Sequence, residues 1–404
     1  MSKRPALSCN KMHCALLAAL AFGAIDAGAA EPEWDPVKTW TIDAAEDMPQ
    51  RDTQYYGANC QTGSSTSSPT GDVSGYRTIV TADGVSIPPK GLTGAYTNEG
   101  LASNNRLEIA AGTVVSHGGT TLNLYGARTQ KGNAEGNTFV FNGEAEKTVV
   151  MAGGYSYGGN ADGNTLTFGS SAKANGGSVS LYGGWSFKQG VANENTLFLS
   201  GEITDTGASA FGGSSRGEYD ANGNSVILTE GSSIAARIAG GKSGGANADR
   251  NTVNVQEGAV FTGSSVYGGQ SDKNINGQRK EGHASFNTVT FSGTASGKSL
   301  VVRGGSAEYG DVDHNVVTVS ETAKIEDNLY IGGYTYAGNS SENELTFRAS
   351  DEKAVLYGGQ TEDQKSATDT ETRGNIVEVS ANALAKAAYG GSGADTALNN
   401  TVTL

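Results

Sequence analysis

From about residue 104 onward, apolar and polar residues alternate in short runs. Examples are "TFVFNG" at 138–143, "TLTFGS" at 165–170, "SVILTEG" at 225–231, "VVTVS" at 316–320 and "ELTFRAS" at 344–350. A period of two marks a strand buried on one face. A second kind of run ends in a pair of glycines: "VSLYGG" at 179–184, "SSVYGG" at 264–269, "NLYIGG" at 328–333 and "AVLYGG" at 354–359. Helical periodicity is nearly absent. "ANALAKAAYG" at 381–390 holds helix-forming residues but stands where other units enter a strand, so it reads as a strand or a single turn.

The two kinds of run recur together. Glycine pairs stand at Gly153-Gly154, Gly183-Gly184, Gly212-Gly213, Gly240-Gly241, Gly268-Gly269, Gly304-Gly305, Gly332-Gly333, Gly358-Gly359 and Gly390-Gly391, with weaker copies Gly94-Ala95 and Gly126-Ala127. Each is followed by a polar stretch of variable length and then an asparagine: Asn105, Asn137, Asn164, Asn195, Asn224, Asn251, Asn287, Asn315, Asn343, Asn375 and Asn400. The interval is about 26 to 36 residues, and a unit that short buries its apolar face only by stacking on its neighbours. The expected fold is therefore all-β: a parallel β-solenoid (β-helix) of about eleven coils of roughly 28 residues, a rod of roughly 50 Å at one strand spacing per coil. A propeller blade needs about 40 residues and four strands, which this period does not reach. The longest insertion, "SDKNINGQRKEGHAS" at 271–285, falls between pair and asparagine, where it can bulge outward.

Composition agrees with a repeat array. There are 59 glycines against 7 prolines, without the every-third spacing of collagen. The net charge is −14 and no run of Lys or Arg forms a basic patch, so nucleic acid is not an expected partner. The first thirty residues differ: Lys3, Arg4 and Lys11 precede the apolar "ALLAALAFGAI" and the small-residue "DAGAA", the layout of a cleaved signal peptide over 1–30. Its removal takes Cys9 and Cys14 and leaves Cys60 alone, so no internal disulfide is expected. No later stretch is apolar enough for a transmembrane helix. Residues 31–90 fit the repeat poorly and read as an N-terminal cap or linker. Residues 91–404 are the solenoid, with the chain ending inside a strand at "NNTVTL" as though truncated.

The repeated residues read as structural corners. The pair glycines Gly154, Gly184, Gly213, Gly241, Gly269, Gly305, Gly333, Gly359 and Gly391 are expected to allow a positive φ and close approach of coils. Asn164, Asn195, Asn224, Asn251, Asn287, Asn315, Asn343 and Asn375 tolerate left-handed backbone, satisfy turn groups and can hydrogen-bond along the rod. The residue before the pair is often aromatic (Tyr125, Tyr182, Phe211, Tyr267, Tyr357 and Tyr389), giving a partial surface stripe able to pack or to meet glycans and proteins. Phosphate-loop context is missing from every pair. "GGSGAD" at 390–395 matches a calcium-binding repeat only once. The one acidic cluster is Glu308, Asp311, Asp313 and His314, in a variable loop where such charges ordinarily face water. No catalytic residue, cofactor or metal ligand is expected.

The form V-Y-G-G-x-S followed by N-T-V-T-F/V-S-G, behind a signal peptide, resembles the repetitive passenger regions of bacterial autotransporter-like surface proteins over about residues 90–404. The resemblance implies export from a Gram-negative bacterium to the cell surface or the medium, an adhesin-like binding role, and an outer-membrane barrel encoded beyond Leu404; passengers of that family also include enzymes, but no repeat residue here matches a catalytic motif. The partners it implies are host or bacterial surface glycans or proteins. A polysaccharide-acting β-helix enzyme and an inert spacer are the alternatives.

Overall fold

The computed structural model describes residues 35–44, 57–59, 69–87, 91–117, 121–145, 148–174, 177–272, 281–298, 300–326, 328–362, 370–393 and 396–404. Residues 1–34, which hold the expected leader, and Cys60 lie outside the described residues. Asp35–Leu404 is an all-β parallel solenoid, and each coil has three sides. The first side is a thirteen-stranded sheet containing Thr138–Phe141, Thr165–Phe168, Thr196–Leu199 and Ser225–Leu228 in succession, every pairing parallel. The second is an eighteen-stranded sheet that contains the longer glycine-bearing strands, such as Val149–Ser156 and Val179–Ser186. The third carries short segments such as Ala134–Glu135, Ala161–Asp162, Val312–Asp313 and Ser340–Ser341. Between these, hydrogen bonds such as Ala192 N to Asp220 O and Ala221 N to Asn247 O continue the ladder.

The period-two runs place one residue in two inside. Phe139, Leu166, Leu197, Val226, Val253, Val289, Val317, Leu345 and Val377 are consecutive register partners and form one buried column. Leu124, Met151, Leu181, Ala210, Ile238, Val266, Val302, Tyr330 and Leu356 form the column facing it from the second sheet. Because like stacks on like in a parallel ladder, the interior is a set of apolar columns rather than a central ball. The long insertion leaves the register intact: Ser271 pairs with Ser243 before it and Thr288 with Thr252 after it. "LAKAAYGGS" at Leu384–Ser392 is a strand.

Eleven rungs follow an asparagine, and two more precede them: Thr39–Ile42 and Arg77–Val80 lie within residues 31–90 and pair in parallel onto Arg106–Ile109 and its successors. Neither begins on an asparagine; Lys38 and Tyr76 stand there. The main-chain N–H of Tyr76 still donates to Asn105 Oδ1, at 3.0 Å, closing that end of the side-chain ladder.

The left-handed corner of each coil is neither the glycine pair nor the asparagine. It is the residue just before the asparagine: Asn104, Gly136, Gly163, Glu194, Gly223, Arg250, Phe286, His314, Glu342, Gly374 and Asn399, with φ of 53–66°. No pair glycine has a positive φ. Each pair lies inside a strand and faces inward. A Cβ on Gly153 would come within 2.5 Å of Thr165 O and Gly183 O, and one on Gly154 would meet the Asn164 amide. Close approach, and not a corner, is what demands glycine there. Non-glycine residues in left-handed backbone cost about 1 kcal/mol, so Glu194→Gly is expected to raise stability by about that amount, read from the urea midpoint.

Candidate functional site

Three features of the coil compete for a functional role: the asparagine ladder, the acidic third side and the outward face of the glycine strands. The ladder is fully engaged. Asn164 Oδ1 accepts from the main-chain N–H and the Nδ2 of Asn137, both at 3.0 Å, and Asn164 donates in the same two ways to Asn195 Oδ1. The relay runs unbroken from Asn105 to Asn400, and the members from Asn105 to Asn375 are buried. From Asn137 to Asn400 each amide oxygen thus serves two donors of the preceding coil, which leaves no capacity for an outside ligand.

The third side holds parallel ladders built from Asn, Asp, Ser and His. Asp162 Oδ1 accepts from Asn193 N at 2.9 Å, Asn193 from Asn222 N, Asn222 from Asp249 N, and Asp249 from Ser285 N at 2.8 Å. His283 Nδ1 accepts from Asp311 N at 3.1 Å, and Asp311 Oδ1 from Asn339 N at 2.8 Å. The acidic cluster of the sequence is divided by this arrangement. Asp311 and Asp313 belong to two different ladders, His314 Nε2 pairs with Glu342 Oε2 at 2.7 Å and stacks on Phe286, and Glu308 faces the opposite way into a surface hollow. Among the described residues, no group of three or more His, Cys, Asp or Glu is placed to hold a metal ion.

Burial pushes the carboxyls of Asp162, Asp249 and Asp313 above the usual range; beside Asp313 the neighbouring Asp311 adds to the effect. A carboxyl raised in the fold makes the folded chain bind more protons than the unfolded one. Its contribution to stability is therefore fully present below the unfolded-state value and is lost as the pH rises through the folded-state value. Asn193 and Asn222 fill the same column without charge. Asp249→Asn, which keeps the Oδ1 acceptor for Ser285, is expected to raise the melting temperature at pH 7 by a degree or two and to leave it unchanged at pH 3. Thermal melts at the two pH values check it.

The outward face of the glycine strands differs in that its side chains meet mainly as stacked rings and cations, with individual hydrogen bonds such as that between Tyr334 and Glu362. Because both glycines of a pair face inward, the residues just before and just after the pair both point outward, and so does the third residue after it. In register the first column reads Tyr125, Ala152, Tyr182, Phe211, Ala239, Tyr267, Arg303, Ile331, Tyr357, Tyr389. The stripe is thus interrupted, and its rings are largely paired. Tyr125 stacks on Tyr155 (4.9 Å between centroids), Tyr182 on Trp185 (4.6 Å) and Tyr357 on Tyr389 (4.9 Å), while Phe211 tilts against Tyr182. Tyr267 lies between Arg237 and Arg303. The second and third columns contribute aromatic residues that the sequence reading passed over: Tyr155, Tyr157, Trp185, Phe187, Tyr334 and Tyr336. A signal for them exists in "GGYSY" at 153–157, "GGWSF" at 183–187 and "GGYTY" at 332–336, where alternation restarts after the pair.

Two hollows open on this face and share Asp272. One, of about 290 Å³, is lined by Tyr182, Trp185, Phe211, Arg216 and Lys242 among others. Its cations are committed: Lys242 Nζ pairs with Asp272 Oδ2 at 3.1 Å and lies over Phe211, and Arg216 lies over Phe187. The other, of about 410 Å³, is walled by Tyr267, Tyr309, Tyr334, Tyr336, Arg303 and Gln270, with Asp272 and Glu308 at its edge. Arg303 stacks 3.4 Å from the Tyr334 ring centroid, and burial pulls its guanidinium below the usual value. Burial, with a hydrogen bond to Glu362, lifts the Tyr334 hydroxyl above the ordinary tyrosine range.

Comparison with protein-family models, with curated proteins and with solved structures finds no match. Function therefore rests on the geometry alone. Among the described residues no helix is long and apolar enough to cross a membrane.

Proposed function

We propose that the chain is an adhesin-like passenger, carried through an export leader to the surface of a Gram-negative cell or beyond it, where it binds glycans or proteins without catalysis. The supporting observation is the division of labour between faces. The asparagine and aspartate ladders are consumed in holding one coil to the next, whereas the glycine-strand face gathers aromatic, cationic and carboxylate side chains around two open hollows. A rigid parallel ladder presents those groups in fixed register, which lowers the ordering cost of binding. A glycan array run beside a screen of host surface proteins tests the reading. Binding to either, with no turnover of polysaccharide, is the expected result. Polysaccharide cleavage would replace it with the enzyme reading, and a rod that binds nothing would be a spacer.

A further inference from the structure

We infer that the 410 Å³ hollow between Tyr267, Gln270, Arg303, Tyr309, Tyr334 and Tyr336 is a binding site for a neutral, hydroxyl-rich saccharide. This deepens the adhesin reading and rests on it. The volume lies within the range of small-molecule sites, and the wall combines four tyrosines with a few polar groups. Tyrosine rings offer flat apolar faces to the C–H side of a pyranose while keeping a polar tip for its hydroxyls. Tyr336, set edge-on to Tyr309, is 39% exposed and supplies an open ring at the rim.

Two side-chain atoms in this wall lack hydrogen-bond partners among the described residues: Gln270 Oε1 and Arg303 Nε. Gln270 is 7% exposed, and its amide nitrogen donates to the Asp272 carboxylate, which turns the oxygen away from Asp272. A buried polar atom without a partner is costly to the free protein. One atom is an acceptor in need of a donor and the other a donor in need of an acceptor. A hydroxyl group is both at once. Because the two atoms are shielded in the wall, a saccharide reaches them as the Gln270 and Arg303 side chains adjust to it.

The charges select among ligand classes. Asp272 and Glu308 line the hollow, and Glu362 bonds the Tyr334 hydroxyl beside it, so an anionic sugar meets two carboxylates in the wall on a chain of net charge −14. A cation that would lodge between Tyr267 and Tyr334 finds Arg303 already there. A neutral polyol meets neither obstacle, and carboxylates at a rim are strong acceptors for its hydroxyls.

The test is saturation-transfer NMR and titration calorimetry on the whole exported chain with maltotriose, cellotriose and mannotriose, each set against trigalacturonate. At least one neutral trisaccharide is expected to bind and trigalacturonate to bind at least tenfold more weakly. Tyr336→Ala and Gln270→Leu are each expected to lower that affinity at least tenfold without lowering the melting temperature, since Tyr336 is at the rim and Gln270→Leu removes an unpaired acceptor while Asp272, which loses the Gln270 amide, keeps Lys242. Tyr389→Ala, on the same face but remote, is expected to change nothing. Preference for trigalacturonate, or neutral binding untouched by both hollow variants, overturns the assignment. So does silence from all three neutral sugars. If the chain still binds a protein or another glycan on the arrays while Tyr336→Ala is inert, the hollow fails and the adhesin reading stands; if nothing binds at all, both fail.

Discussion

Asn251→Ala is expected to destabilise the solenoid by about 2–4 kcal/mol, read as a drop in the urea midpoint at constant slope. Asn251 Oδ1 accepts from the main-chain N–H of Asn224 at 2.8 Å and from its Nδ2 at 3.0 Å. Asn224 is fully buried and its Nδ2 keeps a second acceptor in Ala192 O, but its main-chain N–H has Asn251 alone. Alanine leaves that N–H orphaned and opens a small void beneath Gly241. Asn251→Asp isolates the electrostatic part. It keeps the acceptor but replaces the Nδ2 donor to Asn287 Oδ1 with a second oxygen, so a buried charge faces a lone pair. Its carboxyl is forced upward by burial, and the variant recovers stability as the pH falls below the folded-state value and loses it again as the pH rises through it. Since solenoid stability is close to a sum over neighbouring coils, damage to one rung divides the array rather than diluting along it.

Gly153→Ala is expected to cost about 3 kcal/mol or more, and Gly154→Ala distinctly less. The atoms nearest the methyl group at 153 are backbone, the carbonyls of Thr165 and Gly183, and backbone shared by two sheets cannot move without shifting every rung above it. The methyl group at 154 meets the Asn164 side chain. The protein has itself accepted that second change: Ala127, the register partner of Gly154, and Ala95 are alanines and fully buried, in a small apolar cluster with Val73 and Ala102. The first position of every pair, from Gly94 to Gly390, is glycine without exception. Paired urea melts of the two variants check the order.

The inward columns and the parallel stacking were legible because alternation and a constant period are direct images of a strand and its register. The asparagine series marked the rungs for the same reason. Three things were not legible. Glycine pairs suggest turns, but here they are extended and are small because two sheets touch at that point. The left-handed residue is hidden by its occupants: glycine in four coils, but Phe286, His314, Arg250 or Glu342 in others, which carry no shared composition. The first two rungs lack their asparagine, so Trp40 and Ile42, which sit in the apolar core, resembled a linker. The outward face was half read. The column before the pair was seen as a stripe, while Tyr334 and Tyr336 escaped because Gly332 and Gly333 both face inward, which reverses which residues of the strand point out.

The central claim is the in-register parallel stacking of consecutive coils, and disulfide trapping tests it most directly. Ser225 and Thr252 are register partners whose hydroxyls lie 3.0 Å apart on the surface, while Thr196 and Thr252 are separated by one intervening rung. With Cys9, Cys14 and Cys60 replaced by serine, the pair Ser225→Cys and Thr252→Cys is expected to oxidise rapidly to an intramolecular disulfide. The pair Thr196→Cys and Thr252→Cys, roughly 10 Å apart at two strand spacings, is expected to stay reduced because a disulfide cannot span beyond about 7 Å between Cα atoms. Failure of the first pair to close, or equal closure of the second, contradicts the solenoid.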